Sequence, residues 1–397
     1  MSSRGLLFIT LFNSILGLSV LFPILAPLGR ELGLSVLQVG SFSTSYALMQ
    51  FLMSPFWGRL SERVGRKRVL LTGVLGFGVS FLGFALVADF GGRAHLPTPL
   101  LYSLLLATRL IGGTFSSATL PTAQAYMADS TGRSDRTAGM ALIGAAFGLG
   151  VIFGPGIGAL FSKVSLLAAV YFSSGVAFFN GAFVWFFLPE SKRAGSGSPP
   201  RAMLHVAASV WPILAMGLTL SLASVAMEQT ISFYFQDRLH LTNHQTPMKV
   251  GIALVLYGIV AVIAQGFLVR RYKWSPLKLM LLGIPIALAG YVLLIFAHQF
   301  LFLTCALATQ GLGQGLAMPG VTAGVSLAVG EDDQGVVAGL NSSTQAFGRM
   351  LGPLVGTGLY EIRREFPYLL SSALLVLVLL ALVANRGLQR AVSDSAA

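Results

Sequence analysis

The pattern Gly150, Gly154, Pro155, Gly158 returns 198 residues later as Gly348, Gly352, Pro353, Gly356, and each copy lies inside a long apolar run. Pro121 and Pro319 share that offset. The repeat points to a chain built from two related halves. Twelve apolar runs can be marked, at roughly 5–28, 36–57, 69–89, 99–127, 136–160, 165–188, 208–236, 250–269, 276–297, 299–320, 336–360 and 366–385. Most are long enough for a helix, rising about 1.5 Å per residue, to cross the hydrocarbon of a bilayer. The sequence therefore predicts an all-α membrane protein with twelve transmembrane helices in two pseudo-symmetric six-helix bundles. The first bundle is residues 1–188 and the second 208–397. Between them, residues 189–207 carry Gly195, Gly197, Pro199 and Pro200 among serines and basic residues, and read as a flexible linker.

Only 10% of the 397 residues are charged, against about a quarter in a soluble domain. The net charge is +12, but it is distributed as a topology signal. With the N-terminus placed in the cytoplasm, 17 of the 26 arginines and lysines fall on the cytoplasmic side and seven on the other, with Arg109 and Arg349 left inside helices. That bias follows the positive-inside rule and puts both termini in the cytoplasm. No basic patch with interleaved aromatics sits on a soluble module, so a nucleic-acid partner is not expected. The single Cys305 rules out an internal disulfide. The first apolar run lacks a clean small-residue cleavage site and reads as a membrane helix. Glycine, 46 of the residues, is concentrated in the apolar runs, where small residues allow helices to approach closely. For the repeated glycine–proline motif two readings stand: tight packing alone, or a bendable helix where the halves meet.

Between the second and third runs the chain reads Gly58, Arg59, Leu60, Ser61, Glu62, Arg63, Val64, Gly65, Arg66, Lys67. This segment closely resembles the signature loop of the major facilitator superfamily, with Glu62 where that family more often has Asp. Arg109, Gly112 and Gly113 resemble its fourth-helix motif. Gly150, Gly154, Pro155 and Gly158 resemble the fifth-helix motif of members that exchange substrate for protons, ending Gly158–Ala159 where a glycine pair is usual. Pro189, Glu190 and Ser191 resemble the end of its sixth helix. The nearest subgroup is that of twelve-helix drug or metabolite exporters, which includes tetracycline and multidrug exporters. The resemblance implies the major facilitator fold and a cytoplasmic gating network of Gly58, Glu62, Arg63, Gly65, Arg66 and Asp129. Glu62 can pair with Arg66, and Asp129 lies within plausible reach. The matching loop of the second half keeps Gly266, Arg270, Arg271, Tyr272 and Lys273 but has no acid, and reads as an anchor on anionic lipid. Ahead of the eleventh run, Glu331, Asp332 and Asp333 are consecutive; they suit either a helix N-terminus, a pairing with cations such as Arg133 and Arg136, or a solvated acidic face.

Ionisable groups at membrane depth are costly and mark function by default. Three stand out: Arg109, Glu228 and Arg349. Glu228 is the candidate protonation switch, or else an interfacial carboxylate that reaches water. Arg109 resembles the basic residue that the family uses in proton coupling, and a structural hydrogen-bonding role stands beside that. Arg349 suits an anionic substrate or a pairing with Glu228, since a guanidinium binds carboxylate bidentately. Candidate cavity groups are Asn13, Tyr46, Gln50, Phe147, Tyr234, Tyr257, Asn341, Gln345 and Arg349. Helical spacing puts Asn341 and Gln345 on one face.

The expected function is proton-coupled export of a small organic compound, drug or metabolite, by alternating access between the halves. Facilitated diffusion, import, export of an anionic carboxylate compound such as a siderophore, and a non-transporting receptor role are the alternatives. No catalytic or ATP-binding motif is present, so no enzyme activity, cofactor or metal site is expected; the proton gradient is the energy source. The expected partners are the substrate, protons and anionic lipids, around a single chain in a bacterial cytoplasmic membrane.

Overall fold

The computed structural model describes residues 3–130, 136–191, 210–272, 274–330, 334–385 and 389. Most of the linker, the acidic run Glu331, Asp332 and Asp333, and Arg133 lie outside the described residues. Every regular element among those described is helical. Lipid offers no partner for a free backbone N–H or C=O, and a helix satisfies both within itself.

The elements line up with the twelve apolar runs. The first span is α1 (Ser3–Ser19) and α2 (Leu25–Glu31), separated around Pro23; α3 (Val36–Val64) and α4 (Arg66–Arg93) follow. The fourth span is α5 (Thr98–Ser116) and α6 (Thr119–Ser130), with Pro121 in the first turn of α6, where its missing N–H costs nothing. Then come α7 (Arg136–Phe161) and α8 (Leu166–Phe187). The second half opens with α9 (Val210–Arg238). Its next span is α10 (Thr246–Ile263), a π-helical turn at Ala264–Leu268 and α11 (Val269–Tyr272). It ends with α12 (Pro276–Phe296), α13 (Phe300–Leu327), α14 (Gln334–Ile362) and α15 (Phe366–Ala384).

Eight spans among the described residues are individually long and apolar enough to cross a membrane. The other four have visible reasons to fall short. The first and fourth are broken into two helices, while α3 and α14 carry many serines, glutamines and other polar residues.

The chain divides into two compact units: Met1–Gly197 with Leu241–Ile252, and Ser198–His240 with Ala253–Ala397. This differs from a division at the linker alone, because the start of α10 groups with the first unit. There Gly251 lies so close to α7 that an added Cβ would stand 2.5 Å from Ala159 Cβ and 2.8 Å from the Pro155 carbonyl oxygen.

The repeated motif has the same structural job in each unit. In the first, an added Cβ on Gly150 would stand 2.8 Å from Ile15 Cβ and 3.0 Å from Leu16 N; on Gly154 it would strike Ser19 Oγ, and on Gly158 the Val20 carbonyl. In the second, a Cβ on Gly348 would stand 2.9 Å from the Leu218 carbonyl oxygen, on Gly352 2.9 Å from Val225 Cβ, and on Gly356 2.8 Å from the Ala226 carbonyl oxygen. These glycines therefore let α7 lie backbone-to-backbone on α1, and α14 on α9. A hydroxyl bridges each seam: Ser19 Oγ donates to the Gly150 carbonyl at 2.7 Å, and Ser221 Oγ to the Gln345 carbonyl at 2.9 Å. Pro155 and Pro353 sit inside continuous helices. The motif glycines thus face the first helix of their own unit.

Widening a seam should destabilise its unit. Gly154→Leu and Gly352→Leu should each cost about 1–3 kcal/mol through overpacking and lower the melting temperature of the detergent-solubilised protein. Gly144→Leu, where nothing lies within 4 Å of the added Cβ, should leave it unchanged.

Candidate functional site

In the second unit polar groups run inward from Glu228. Glu228 stands four residues after Ser224 on α9, so both share one helix face. Ser224 Oγ donates to Glu228 Oε1 at 3.1 Å and lies 3.4 Å from the Tyr257 hydroxyl of α10. Beyond Tyr257 is Tyr291 on α12, which Tyr257 and Glu228 both influence electrostatically. Gln310 Nε2 of α13 donates to the Tyr291 hydroxyl at 3.0 Å. Two hydrogen-bonded groups thus lie near one another: Glu228, Ser224 and Tyr257 on α9 and α10, and Tyr291 with Gln310 on α12 and α13. Close packing holds them in place: a Cβ on Gly311 would stand 2.6 Å from the Tyr257 carbonyl oxygen, and one on Gly290 2.6 Å from Gln310 N.

Glu228 itself is half-buried, whereas Tyr257, Tyr291 and Gln310 are buried. Arg349, near the middle of α14, is exposed and acts electrostatically on Glu228 without pairing with it directly. The carboxylate therefore has one side turned to the hydroxyls of Ser224 and Tyr257. That arrangement can hold a proton or an ionic ligand. Asn341 and Gln345 do share a face, with Gln345 Nε2 donating to Asn341 Oδ1 at 3.1 Å. Tyr234 belongs elsewhere. It is wholly buried, donates its hydroxyl to the Leu294 carbonyl at 2.9 Å and accepts from Arg238 Nε at 3.0 Å. It serves packing at the far end of α9, where Arg238 also pairs with Glu365 at 3.0 Å.

In the first unit Arg109, on α5, is 3% exposed and its guanidinium carbon lies 4.3 and 4.2 Å from the ring centroids of Phe81 and Phe84. Tyr46, buried, is its electrostatic neighbour, and Gln50 Nε2 reaches Ser116 Oγ at 3.4 Å. A Cβ on Gly112 would strike Ser80 Oγ, and one on Gly113 the Tyr46 carbonyl, so these glycines bring α5 onto α4 and α3. Asn13 is half-buried on α1, and Phe147 is exposed on α7.

The signature segment is almost entirely helical; only Gly65, at φ +107°, separates α3 from α4. A positive φ of this size favours glycine, and a Cβ there would also stand 2.7 Å from Glu190 Oε2. Arg66 is the hub. Its Nε pairs with Asp129 Oδ2 at 3.0 Å, its Nη1 donates to Ser61 Oγ at 2.6 Å, and its Nη2 lies 4.0 Å from Glu62. Ser191 Oγ donates to the same Asp129 oxygen at 3.3 Å, the Lys67 backbone N–H donates to Glu190 Oε1 at 3.0 Å, and the Tyr126 hydroxyl donates to the Pro189 carbonyl at 2.8 Å. Glu190 thereby caps the positive N-terminal end of α4. The ends of α4, α6 and α8 are tied at one point. Glu62, with 68% of its side chain exposed, is peripheral to it, and Gly58 sits inside α3 with nothing within 4 Å of an added Cβ. Arg63 is exposed at the end of α3. Ser191 and Glu190 emerge as network members that the sequence assigned only to a helix end.

Sequence reasoning missed Ser224, Tyr291 and Gln310. Ser224 was findable from its four-residue spacing to Glu228; Tyr291 and Gln310 join only through tertiary packing. Among the described residues no cluster of three or more His, Cys, Asp or Glu is placed to hold a metal ion.

Removing the hub acid should matter more than removing the signature acid. Asp129→Asn should cost about 3 kcal/mol by stranding a largely buried guanidinium, read as a lower melting temperature. Glu62→Gln should change it little, because an exposed pair at that distance contributes at most about 1 kcal/mol.

The sequence matches the model of the Major Facilitator Superfamily over residues 7–353 and 214–391. It is 26% identical over 370 residues to the quinolone resistance protein NorA of Staphylococcus aureus, spanning 91% of this chain and 90% of that protein. It is 30% identical over 367 residues to the class C tetracycline resistance protein of Escherichia coli, spanning 87% and 86%. Its fold is similar to that of a bacterial homologue of the human lysosomal transporter Spinster, with a TM-score of 0.74, 12% identity and coverage of 98% and 96%. With family, relatives and helical architecture agreeing over nearly the whole length, the chain belongs to the Major Facilitator Superfamily and is a multi-pass membrane transporter, not an enzyme.

Proposed function

We propose that the chain exports a small organic compound, a drug or metabolite, in exchange for protons by alternating access. The drug-resistance relatives support the direction and the substrate type. The observation that carries proton coupling is the half-buried Glu228, which accepts from Ser224 beside the buried Tyr257 hydroxyl. Hydroxyls both donate and accept, so these two can adjust to either protonation state of the carboxyl. The tie through Arg66 and Asp129 gathers the ends of α3, α4, α6 and α8, and is the first unit's part of the cytoplasmic gate.

A bacterial cytoplasmic membrane, both termini inside, suits the charge bias of the loops. In that orientation Tyr272 and Trp274 stack at 5.1 Å with Lys278 Nζ 5.3 Å from the Trp274 ring centroid. A cation on an aromatic pair at the end of a span suits contact with anionic lipid headgroups. The energy source is the proton gradient, with the single chain as the working unit.

The test is proton flux in proteoliposomes carrying the purified protein, under an imposed pH gradient, with cationic, neutral and anionic compounds. Flux should require one compound class. Glu228→Gln should reduce substrate-dependent flux at least tenfold at normal membrane abundance, while Tyr257→Phe, which removes the hydroxyl beside Ser224, should reduce it less. Substrate movement without proton flux would reassign the protein as a facilitator and Glu228 as structural.

A further inference from the structure

Arg109 is a buried cation that pairs with no carboxylate among the described residues and lies over the rings of Phe81 and Phe84. Its Nε and Nη2 have no hydrogen-bond partner. These two nitrogens share one edge of the guanidinium plane. The carboxylates of the unit that stand near cations or helix ends are committed elsewhere: Asp89 to Arg93, Asp129 to Arg66 and Glu190 to the N-terminus of α4. The electrostatic neighbour of Arg109 is the Tyr46 hydroxyl, and beside Tyr46 stand Ser116 and the Gln50 amide. Phe81 and Phe84 offer their ring faces but accept no conventional hydrogen bond.

An arginine can only donate, and burying its donors unpaired is costly. A lone buried charge costs more still. An acceptor satisfies these donors, and a negatively charged one also answers the charge. The edge formed by Nε–H and Nη2–H presents two parallel donors, which matches the two oxygens of a carboxylate in a single plane.

We propose that the Nε and Nη2 edge of Arg109 is a carboxylate-binding subsite in the first unit, completed by the Tyr46 hydroxyl. Arg109 is 3% exposed in the present conformation, so ligand entry requires side chains around its guanidinium to move. The inference deepens the transporter reading, on which it rests for one consequence: the compound carried bears a carboxylate.

Binding is read on purified protein in detergent with no gradient, so its failure leaves proton coupling at Glu228 untouched. The probes are acetate, benzoate, the neutral isostere benzamide, and chloride, each at millimolar concentration. Acetate or benzoate should raise the melting temperature by a few degrees through binding to the folded state, and benzamide and chloride should not. Arg109→Lys keeps the charge but loses the paired edge, and should abolish the shift; Tyr46→Phe should weaken it severalfold. Should Arg109→Lys fail to fold, the contrast between benzoate and benzamide on the unaltered protein and the Tyr46→Phe series still decide. No shift with either carboxylate, an equal shift with chloride, or a carboxylate shift that survives Arg109→Lys would overturn the subsite; the first outcome would assign the free edge to internal water.

Discussion

Close approach of helix backbones is the constraint on which the rest of the molecule depends. In lipid the hydrophobic effect does not drive one apolar helix against another, so association must come from contact and hydrogen bonding. The chain meets this by placing glycines wherever two helices need to touch. At α1 with α7 and at α9 with α14, any side chain larger than hydrogen would meet backbone or Cβ atoms. The same device recurs where Gly283 and Gly313 bring α12 and α13 together, with an added Cβ on Gly283 2.5 Å from Ala317 N. Packing at that distance fixes helix register, and register decides which polar groups meet. Gly311, for one, lets Tyr257 lie directly on α13.

Much of this was legible in the sequence. Apolar runs are a direct readout of lipid as solvent, so the twelve spans and the helical class followed from composition and length. The 198-residue repeat marked the equivalent helices correctly, since α7 and α14 do pack alike in their two units. What the repeat did not reveal was the partner of each glycine face, because a small residue signals close approach without naming what approaches. The break of the first and fourth spans was also invisible as a boundary, although Pro23 and Pro121 stood at each place.

The polar groups divide by whether their partners are near in sequence. Glu228, Arg109, Arg66 and Asp129 were identifiable as charges in costly or patterned positions. Glu62 appeared central because it occupies the signature position, yet Arg66 reaches Asp129 more closely than it reaches Glu62, and Glu190 takes the helix end. Tyr234 read as a cavity residue because aromatic hydroxyls in apolar runs have two uses; its neighbours, Leu294 and Arg238, settle it as packing. Tyr291 and Gln310 meet across two helices that no spacing rule connects.

The residues that close the helix-end junction of the first unit, Pro189, Glu190 and Ser191, are also the first three of the linker segment 189–207. Tension along the linker would therefore be borne at Asp129 and the N-terminus of α4, before it reached the membrane-spanning parts of those helices. By the same placement, a nick introduced beyond Ser191 would leave all three fastening contacts on the upstream fragment. The first six spans therefore carry a clasp made wholly of residues up to Ser191.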